Sequence, residues 1–474
     1  GAASLIGEYD DSQLFALMTN LGGHCMETVL DAFEGVEDEQ PTCFFAYTIK
    51  GYGLPLAGHK DNHAGLLNVK QIQKLKEEHR VPDGQEWSPF AGIELPTGSM
   101  QNFIRNVPFK LANGPRRHQS PAIPVPERID TPTADQLSTQ EAFGRILNSI
   151  ARTNDSLADR IVTVSPDVTV STNLSGWVNR RGLFHPQIQN DLFLQEDVGS
   201  LHRWPPSPTG QHIELGIAEN NLFLLLAAAG LSHSLFGQRL LPIGTIYDPF
   251  IERGLDALNY ACYQDARFIL VATPSGISLS PEGGAHQSIG TPLIGISKPG
   301  LSSFEPTYAD ELAAILRWSF VHLQCEGADE SHQDLLNDKQ GGSVYLRLTT
   351  RRVLQLQRQI DSDLETAIID GGYWLRAPAP GAQLVIAYVG AVGPEALSAH
   401  TKIIDEIPGA GLLAVTSPDR LHRAWLTAQR QRQATVNGPE AAIERLLAPL
   451  EASSRIVTVV DGHPSILSWL GAVY

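Results

Sequence analysis

The spacing of apolar residues changes along this chain, and each change predicts a different element. Over residues 10–33, Leu14, Leu17, Met18 and Leu21 recur at helical spacing, which predicts helices with one apolar face. An acidic stretch follows at 35–40. Residues 42–49, TCFFAYTI, then read as a strand, broken by Gly51 and Gly53. Residues 69–79 predict a charged helix. Residues 82–132 are mostly irregular, and PRRHQSPAIPVPERIDTPT at 115–133 is proline-dense, as an extended linker would be.

From residue 138 helical and strand patterns alternate. In STQEAFGRILNSIAR, Ser138 stands three residues before Glu141, the signature of a helix-opening capping box. RIVTVSPDV, LLPIGTIYDPF, ARFILVATPS and GSVYLRLT predict strands, with helices expected at 217–230, 249–263 and 308–322. This order predicts an α/β fold with a largely parallel sheet. A third stretch starts near Gly371. AQLVIAYVGAVGPEALSAHTKIIDE is strand, glycine turn and helix, GLLAVTSPDRLHRAW repeats the order, and SRIVTVVDGHPSILSWLGAVY starts it again. The expected domains are 1–115, a linker at 116–137, 138–355 and an incomplete 356–474.

Composition narrows the function. Over 474 residues the formal net charge is −17, from 35 Lys and Arg against 52 Asp and Glu. Such a balance argues against nucleic acid or an anionic membrane as the main partner. The longest uncharged apolar run, near Leu222, is too short for a membrane span. Cys25, Cys43, Cys262 and Cys325 are scattered and form no C-x-x-C pair, which suits a reducing cytoplasm. The N-terminal residues lack a signal-peptide pattern. Both ends read as cut from something longer.

Open α/β sheets bind ligands at the carboxyl ends of their strands, and several candidates fall there. HIELGIAENNLFLLLAAAG places Glu219 directly before a buried apolar helix. One reading is a helix-start acid facing the helix dipole; the other is a chemical role. TIYDPF puts Tyr247 and Phe250 at a strand-to-helix junction, either as core packing or as a platform for a planar heterocycle. SPEGGAHQS carries His286 on a glycine turn. In SPDVTVSTNL, Asp167 either holds a ligand or caps the next helix. GHKDNHAG spaces His59 and His63 for a metal only if the loop is helical, which Gly58 and Gly65 disfavour. With Lys60 it better suits closure over an anionic substrate. The glycines at 390 and 393 lack a full dinucleotide fingerprint.

Taken in order, these segments resemble the thiamine-diphosphate enzymes of the transketolase superfamily. Among them they are most similar to the decarboxylating first component of the homodimeric bacterial pyruvate dehydrogenase complex. TIKGYG with Lys50, the histidine loop with His63, GIAENN with Glu219, the pair Tyr247 and Phe250, and EGGAHQS with His286 carry the resemblance over nearly the whole chain. SPDVTVSTNL, with Asp167, is similar to the transketolase form.

The resemblance implies a thiamine-diphosphate-binding fold of parallel sheets flanked by helices, followed by a transketolase C-terminal-like α/β domain. It implies oxidative decarboxylation of a 2-oxo acid, pyruvate first, with the acyl unit passed to a lipoyl group on a partner acyltransferase. The cofactor acts as an ylid and then as an electron sink. Glu219 would bond the aminopyrimidine nitrogen and drive the tautomer that makes the ylid, a role open to a buried, protonatable carboxylate. Tyr247 and Phe250 would flank that ring, Asp167 and Lys50 would help hold the cofactor, and His63 and His286 would bind the substrate carboxylate or move protons. The superfamily's Gly-Asp-Gly segment, which supplies diphosphate and Mg²⁺ ligands, is not found here, so metal ligands are expected outside this chain. The superfamily's sites lie between two protomers, so a homodimer is expected. Two other readings stand beside this one. A transketolase-like ketol transferase would need cationic contacts for a sugar phosphate, with Arg267, Arg347, Arg351 and Arg352 available. A non-catalytic fragment or assembly subunit is the other.

Overall fold

The computed structural model describes residues 2–37, 40–107, 119–153, 155–188, 201–204, 206–279, 283–327, 334–434 and 438–474. They divide into two compact units, Gly1–Asn113 and Gly114–Tyr474. Residues 115–118 of the proline-dense linker and 280–282 of SPEGGAHQS lie outside the described residues.

In the first unit the helices are Ala2–Ile6, Asp11–Thr19, Met26–Glu34, Val69–Glu78 and Thr97–Asn106. Asp10 and Gln13 form a capping box at one of them and Asn68 and Gln71 at another. The strand expected at 42–49 does not form. It has no ladder, because the described part of this unit holds no other strand to pair with. The Ile49 N–H donates instead to His24 Nε2 at 2.7 Å, and Phe45 stands almost fully exposed.

The second unit is built on an eight-stranded sheet. Its strands are β2 (Ile161–Ser165), β3 (Leu183–Phe184), β4 (Pro206–Ser207), β5 (His212–Glu214), β6 (Leu241–Ile246), β7 (Ile269–Ala272), β8 (Leu301–Phe304) and β9 (Ser343–Arg347). Their order is β4-β3-β5-β2-β6-β7-β9-β8, and every ladder is parallel. The strands β1 (Gln136–Leu137) and β10 (Val353–Leu354) make a short antiparallel pair. Four of these strands, β3, β4, β5 and β8, are too short or too polar to stand out as apolar runs. The Ser138–Glu141 capping box forms as expected, with the Glu141 N–H donating to Ser138 Oγ at 3.0 Å.

The extended segment before residue 136 is laid along the helix Ala309–His322. Ile123 exchanges hydrogen bonds with the Gln324 amide, and Arg317 Nε donates to Pro126 O at 3.2 Å. A second sheet holds β11 (Gly372–Arg376), β12 (Leu384–Val389), β13 (Gly411–Val415) and β14 (Arg455–Val459) in the order β11-β13-β12-β14. Only β11 runs antiparallel. One buried apolar cluster is continuous between the two sheets, from Phe143 and Ile243 to Tyr388 and Leu412.

The helix Glu219–Gly230 lies against β6. Leu222, Phe223 and Leu226 are fully buried, each contributing roughly 1.5–3 kcal/mol by leaving water. Gly244 on β6 permits this approach, since a Cβ there would sit 2.6 Å from Leu226. The helix begins at Glu219, two residues later than the pattern suggested. The helix expected from residue 249 opens as a 3₁₀ turn, Asp248–Gly254, before the α-helix Leu255–Tyr263.

Candidate active site

After β2 the chain builds β3, β4 and β5 on one side, then crosses to β6 and β7 on the other. This is a topological switch point, the place where open α/β sheets bind ligands at their strands' carboxyl ends. Four of the candidate segments follow β2, β5, β6 and β7, so the sheet order gathers them there.

Glu219 is the first residue of its helix and is 8% exposed. The helix has no side-chain cap, so the carboxylate stands in the positive field of unpaired backbone N–H groups. Tyr247, Phe250 and His286 form one aromatic cluster. The Tyr247 and His286 rings meet edge to face at 5.0 Å between centroids, Phe250 and His286 at 6.1 Å, and Tyr247 and Phe250 at 5.9 Å. Tyr247 also donates through its hydroxyl to Ser171 Oγ at 2.7 Å, tying in the SPDVTVS turn.

Arg253 joins the carboxylate to this cluster. Its guanidinium lies 4.0 Å from the Phe250 ring centroid, and Nη1 donates to Glu219 Oε1. Sequence reasoning passed over Arg253 because the segment read as an ordinary helix. Its spacing of three from Phe250 was the available signal.

Asp167 is placed differently from the expectation of a cap. It is exposed with φ +63°, and the next helix starts only at Ser175 with Leu174 before it. Its N–H donates to Glu214 Oε1 at 2.7 Å. Glu214 was also passed over, although it lies five residues before Glu219. Burial opposes its ionisation, yet His212, Thr169 and the Asp167 amide together hold its carboxyl below the usual range. His212 is fully buried and bridges Thr163 and Thr169 at 2.8 and 2.9 Å.

Beneath the aromatic pair lies a buried ionic cluster. Asp248 accepts from Tyr345 Oη at 2.8 Å, Thr291 Oγ1 at 2.6 Å, Ser288 Oγ and the Arg347 guanidinium. Burial works against its charge, but Arg347 and the hydroxyls outweigh it and keep the Asp248 carboxyl below its ordinary range. Arg347 also binds Glu305, where burial wins and the carboxyl is pushed up to about 7. Asp248 is thus a shared anchor. Its backbone follows Tyr247, and its side chain holds Ser288, two residues after His286.

The four arginines considered for a sugar phosphate are all committed inside the chain. Arg267 binds Asp265 and the Gln340 carbonyl, Arg347 binds Asp248 and Glu305, Arg351 binds Glu395, and Arg352 binds Glu141.

In the first unit, Lys50 Nζ contacts His63 Nδ1, and Asn62 Nδ2 donates to Lys50 O. The histidine loop contains a short 3₁₀ turn, Lys60–His63, with His59 Nδ1 accepting from Asp61 N at 3.1 Å. Among the described residues, no group of three or more His, Cys, Asp or Glu side chains could hold a metal ion. No helix among them is long and apolar enough to cross a membrane.

Residues 129–329 match the family model described as the pyruvate dehydrogenase E1 component middle domain. Over this stretch the chain is similar to the pyruvate dehydrogenase E1 component. It is 26% identical over 396 residues to the pyruvate dehydrogenase E1 component of Cupriavidus necator, covering 79% of this chain and 42% of that one. With the E1 component of Mycolicibacterium smegmatis it shares 25% identity over 500 residues, 99% of this chain and 51% of the other. The chain therefore spans about half the length of these relatives. Solved transketolases share its fold. A mutant transketolase from Pichia stipitis superposes with a TM-score of 0.61 at 17% identity, over 92% of this chain and 58% of that chain. The transketolase of Campylobacter jejuni gives 0.61 at 16%, over 93% and 59%. The E1-like middle-domain match takes in Glu219, Tyr247, Phe250, Arg253 and His286 alike.

Proposed function

We propose that this chain forms the pyrimidine side of a thiamine-diphosphate site in a 2-oxo acid dehydrogenase component that decarboxylates pyruvate. The observation that carries the proposal is the seat formed by Glu219 and Phe250. It already holds a planar nitrogen donor, the Arg253 guanidinium, stacked on the ring and hydrogen-bonded to the carboxylate. An aminopyrimidine offers the same flat face and nitrogen edge, so the residues present fit that half of the cofactor. When bound, thiamine diphosphate supplies the carbon nucleophile and electron sink that decarboxylation needs.

Each residue then has a stated task. Glu219 would share a proton through Oε1 with the ring nitrogen, an acceptor in the amino form, once Arg253 has swung away. Phe250 and Tyr247 set the plane of the ring. His286, packed edge-on to Tyr247, orients the substrate carboxylate or moves a proton near it. Asp167 stays a candidate for cofactor contact through its exposed side chain. Lys50 and His63 carry the cationic chemistry that a carboxylate or diphosphate requires. Mg²⁺ ligands are assigned to residues outside this chain. The acyl unit passes to a lipoyl group of an acyltransferase partner, and the protein works as a cytoplasmic homodimer.

The commitment of Arg267, Arg347, Arg351 and Arg352 to internal partners supports this reading over ketol transfer between sugar phosphates. The complete gene product, given pyruvate, thiamine diphosphate, Mg²⁺ and an artificial electron acceptor, should turn over, and Glu219→Ala should abolish that turnover. Xylulose phosphate consumption without pyruvate decarboxylation would replace the proposal with the transketolase reading.

A further inference from the structure

The turn that carries His286 has two limbs, and the smaller sheet grips both. Gly276, on the first limb, has φ +84°, and a Cβ there would lie 2.1 Å from Asp461 Oδ2. That space is filled by a carboxylate that is only 5% exposed and stands just past β14. Asp461 Oδ1 accepts from the N–H groups of Ile277 and Ser278 at 3.0 and 2.9 Å, and Oδ2 accepts from Ser278 Oγ at 2.8 Å. Three donors on one buried carboxylate make charge-assisted bonds, about twice as strong as neutral ones.

The second limb is tied to the first and to the same strand end. Ser288 N donates to Gly276 O at 3.0 Å, Gly276 N to Ser288 Oγ at 3.2 Å, and Gln287 Nε2 to Ile277 O at 2.8 Å. His463 N donates to Ile289 O at 2.9 Å. The segment Asp461 to His463 therefore holds both limbs, and the 3₁₀ turn Gly284–His286 is suspended between them. Ser288 Oγ donates onward to Asp248, beside Tyr247.

We propose that Asp461 is a positioning residue: it fixes the backbone on which His286 stands and so sets that imidazole against the substrate. Asp461 acts through the turn and touches no substrate itself. The inference rests on the reading in which His286 faces the 2-oxo acid, but the clamp can be measured without it.

The test uses Asp461→Ala, Asp461→Asn and Ser278→Ala in the complete gene product. Hydrogen exchange of the amides of residues 277, 278 and 286–288 should accelerate at least tenfold in Asp461→Ala, with the amides of β6 and β7 unchanged. The specificity constant for pyruvate should fall about 10–100-fold, as expected when a reacting group is misplaced by a fraction of an ångström to an ångström. Asp461→Asn, which keeps an oxygen for both amides, should recover to within about threefold. Combined with His286→Ala, Asp461→Ala should add no further loss, because a residue acting through another is not additive with it. Additive losses, or unchanged exchange in the turn, would overturn the proposal. If Asp461→Ala does not fold, Ser278→Ala removes one donor and must still speed exchange at 278 and lower the specificity constant in part. If the wild type does not turn over pyruvate, the proposed function fails. The exchange result then decides the clamp alone: acceleration supports it and no change overturns it.

Discussion

Glu219 and Asp248 are two buried carboxylates, each within five residues of the carboxyl end of a parallel strand, and each paired with an arginine. They differ in what holds the arginine. Arg347 is buried, and Asp248 accepts from three hydroxyls besides. Arg253 is half-exposed, stacks on Phe250, and forms an ion pair with Glu219. A fully enclosed, multiply bonded pair is architecture, because breaking it strands a charge in a low dielectric. A buried carboxylate with a displaceable cation can serve as a binding position, as proposed for Glu219, because a ligand can replace the cation at little cost. The difference lies in the solvent exposure of the partner, not in the acid.

That contrast can be broken or sharpened by measurement. The largest effect is expected at Glu219: Glu219→Gln should cut pyruvate turnover by about 10²-fold or more, a typical loss for removed acid–base participation, with the folded chain's denaturation midpoint shifted little. Next, Asp248→Ala should destabilise the fold by about 3–5 kcal/mol in urea denaturation, since it leaves Arg347 with Glu305 alone. A loss below about 1 kcal/mol would place the two carboxylates in one class.

Glu305 gives a pH signature of the enclosed cluster. Its carboxyl is raised from an ordinary value of 4.5 to about 7 by burial, so the fold prefers it protonated. Its contribution is intact below pH 4.5 and is lost as pH rises to 7, a change of roughly 3 kcal/mol at about 1.4 kcal/mol per unit. Denaturation midpoints across that range should show the slope in the wild type and a flattened one in Glu305→Gln. The smallest effect is expected at Arg253: Arg253→Ala should change stability by less than about 1 kcal/mol, while thiamine diphosphate binds about twofold to fivefold tighter because a competitor is gone. Weaker binding would mean that Arg253 supports the ligand instead of vacating its seat.

Much of the second unit was written in local pattern. The capping box at Ser138, the apolar runs of β6, β7, β9 and β12, and the helix after Glu219 depend on near neighbours, and they formed as the spacing indicated. The candidates Glu219, Tyr247, Phe250 and His286 were also legible, since each follows a strand in a motif that resembles a known family. The sequence determined which groups stand at strand ends. Tertiary structure decided which of them meet. The 42–49 segment is strand-like in composition but has no partner to ladder with, because pairing is a non-local property. In the sequence Arg253 and Asp461 carry no signal of what they touch, and Arg347 is legible only as an available cation. Only the fold buries Arg347 against Asp248, lays Arg253 across Phe250, and brings Asp461 to the turn of His286 from more than 170 residues away. The energy of a charge is set by the dielectric and the partners around it, and neither exists until the chain has closed on itself.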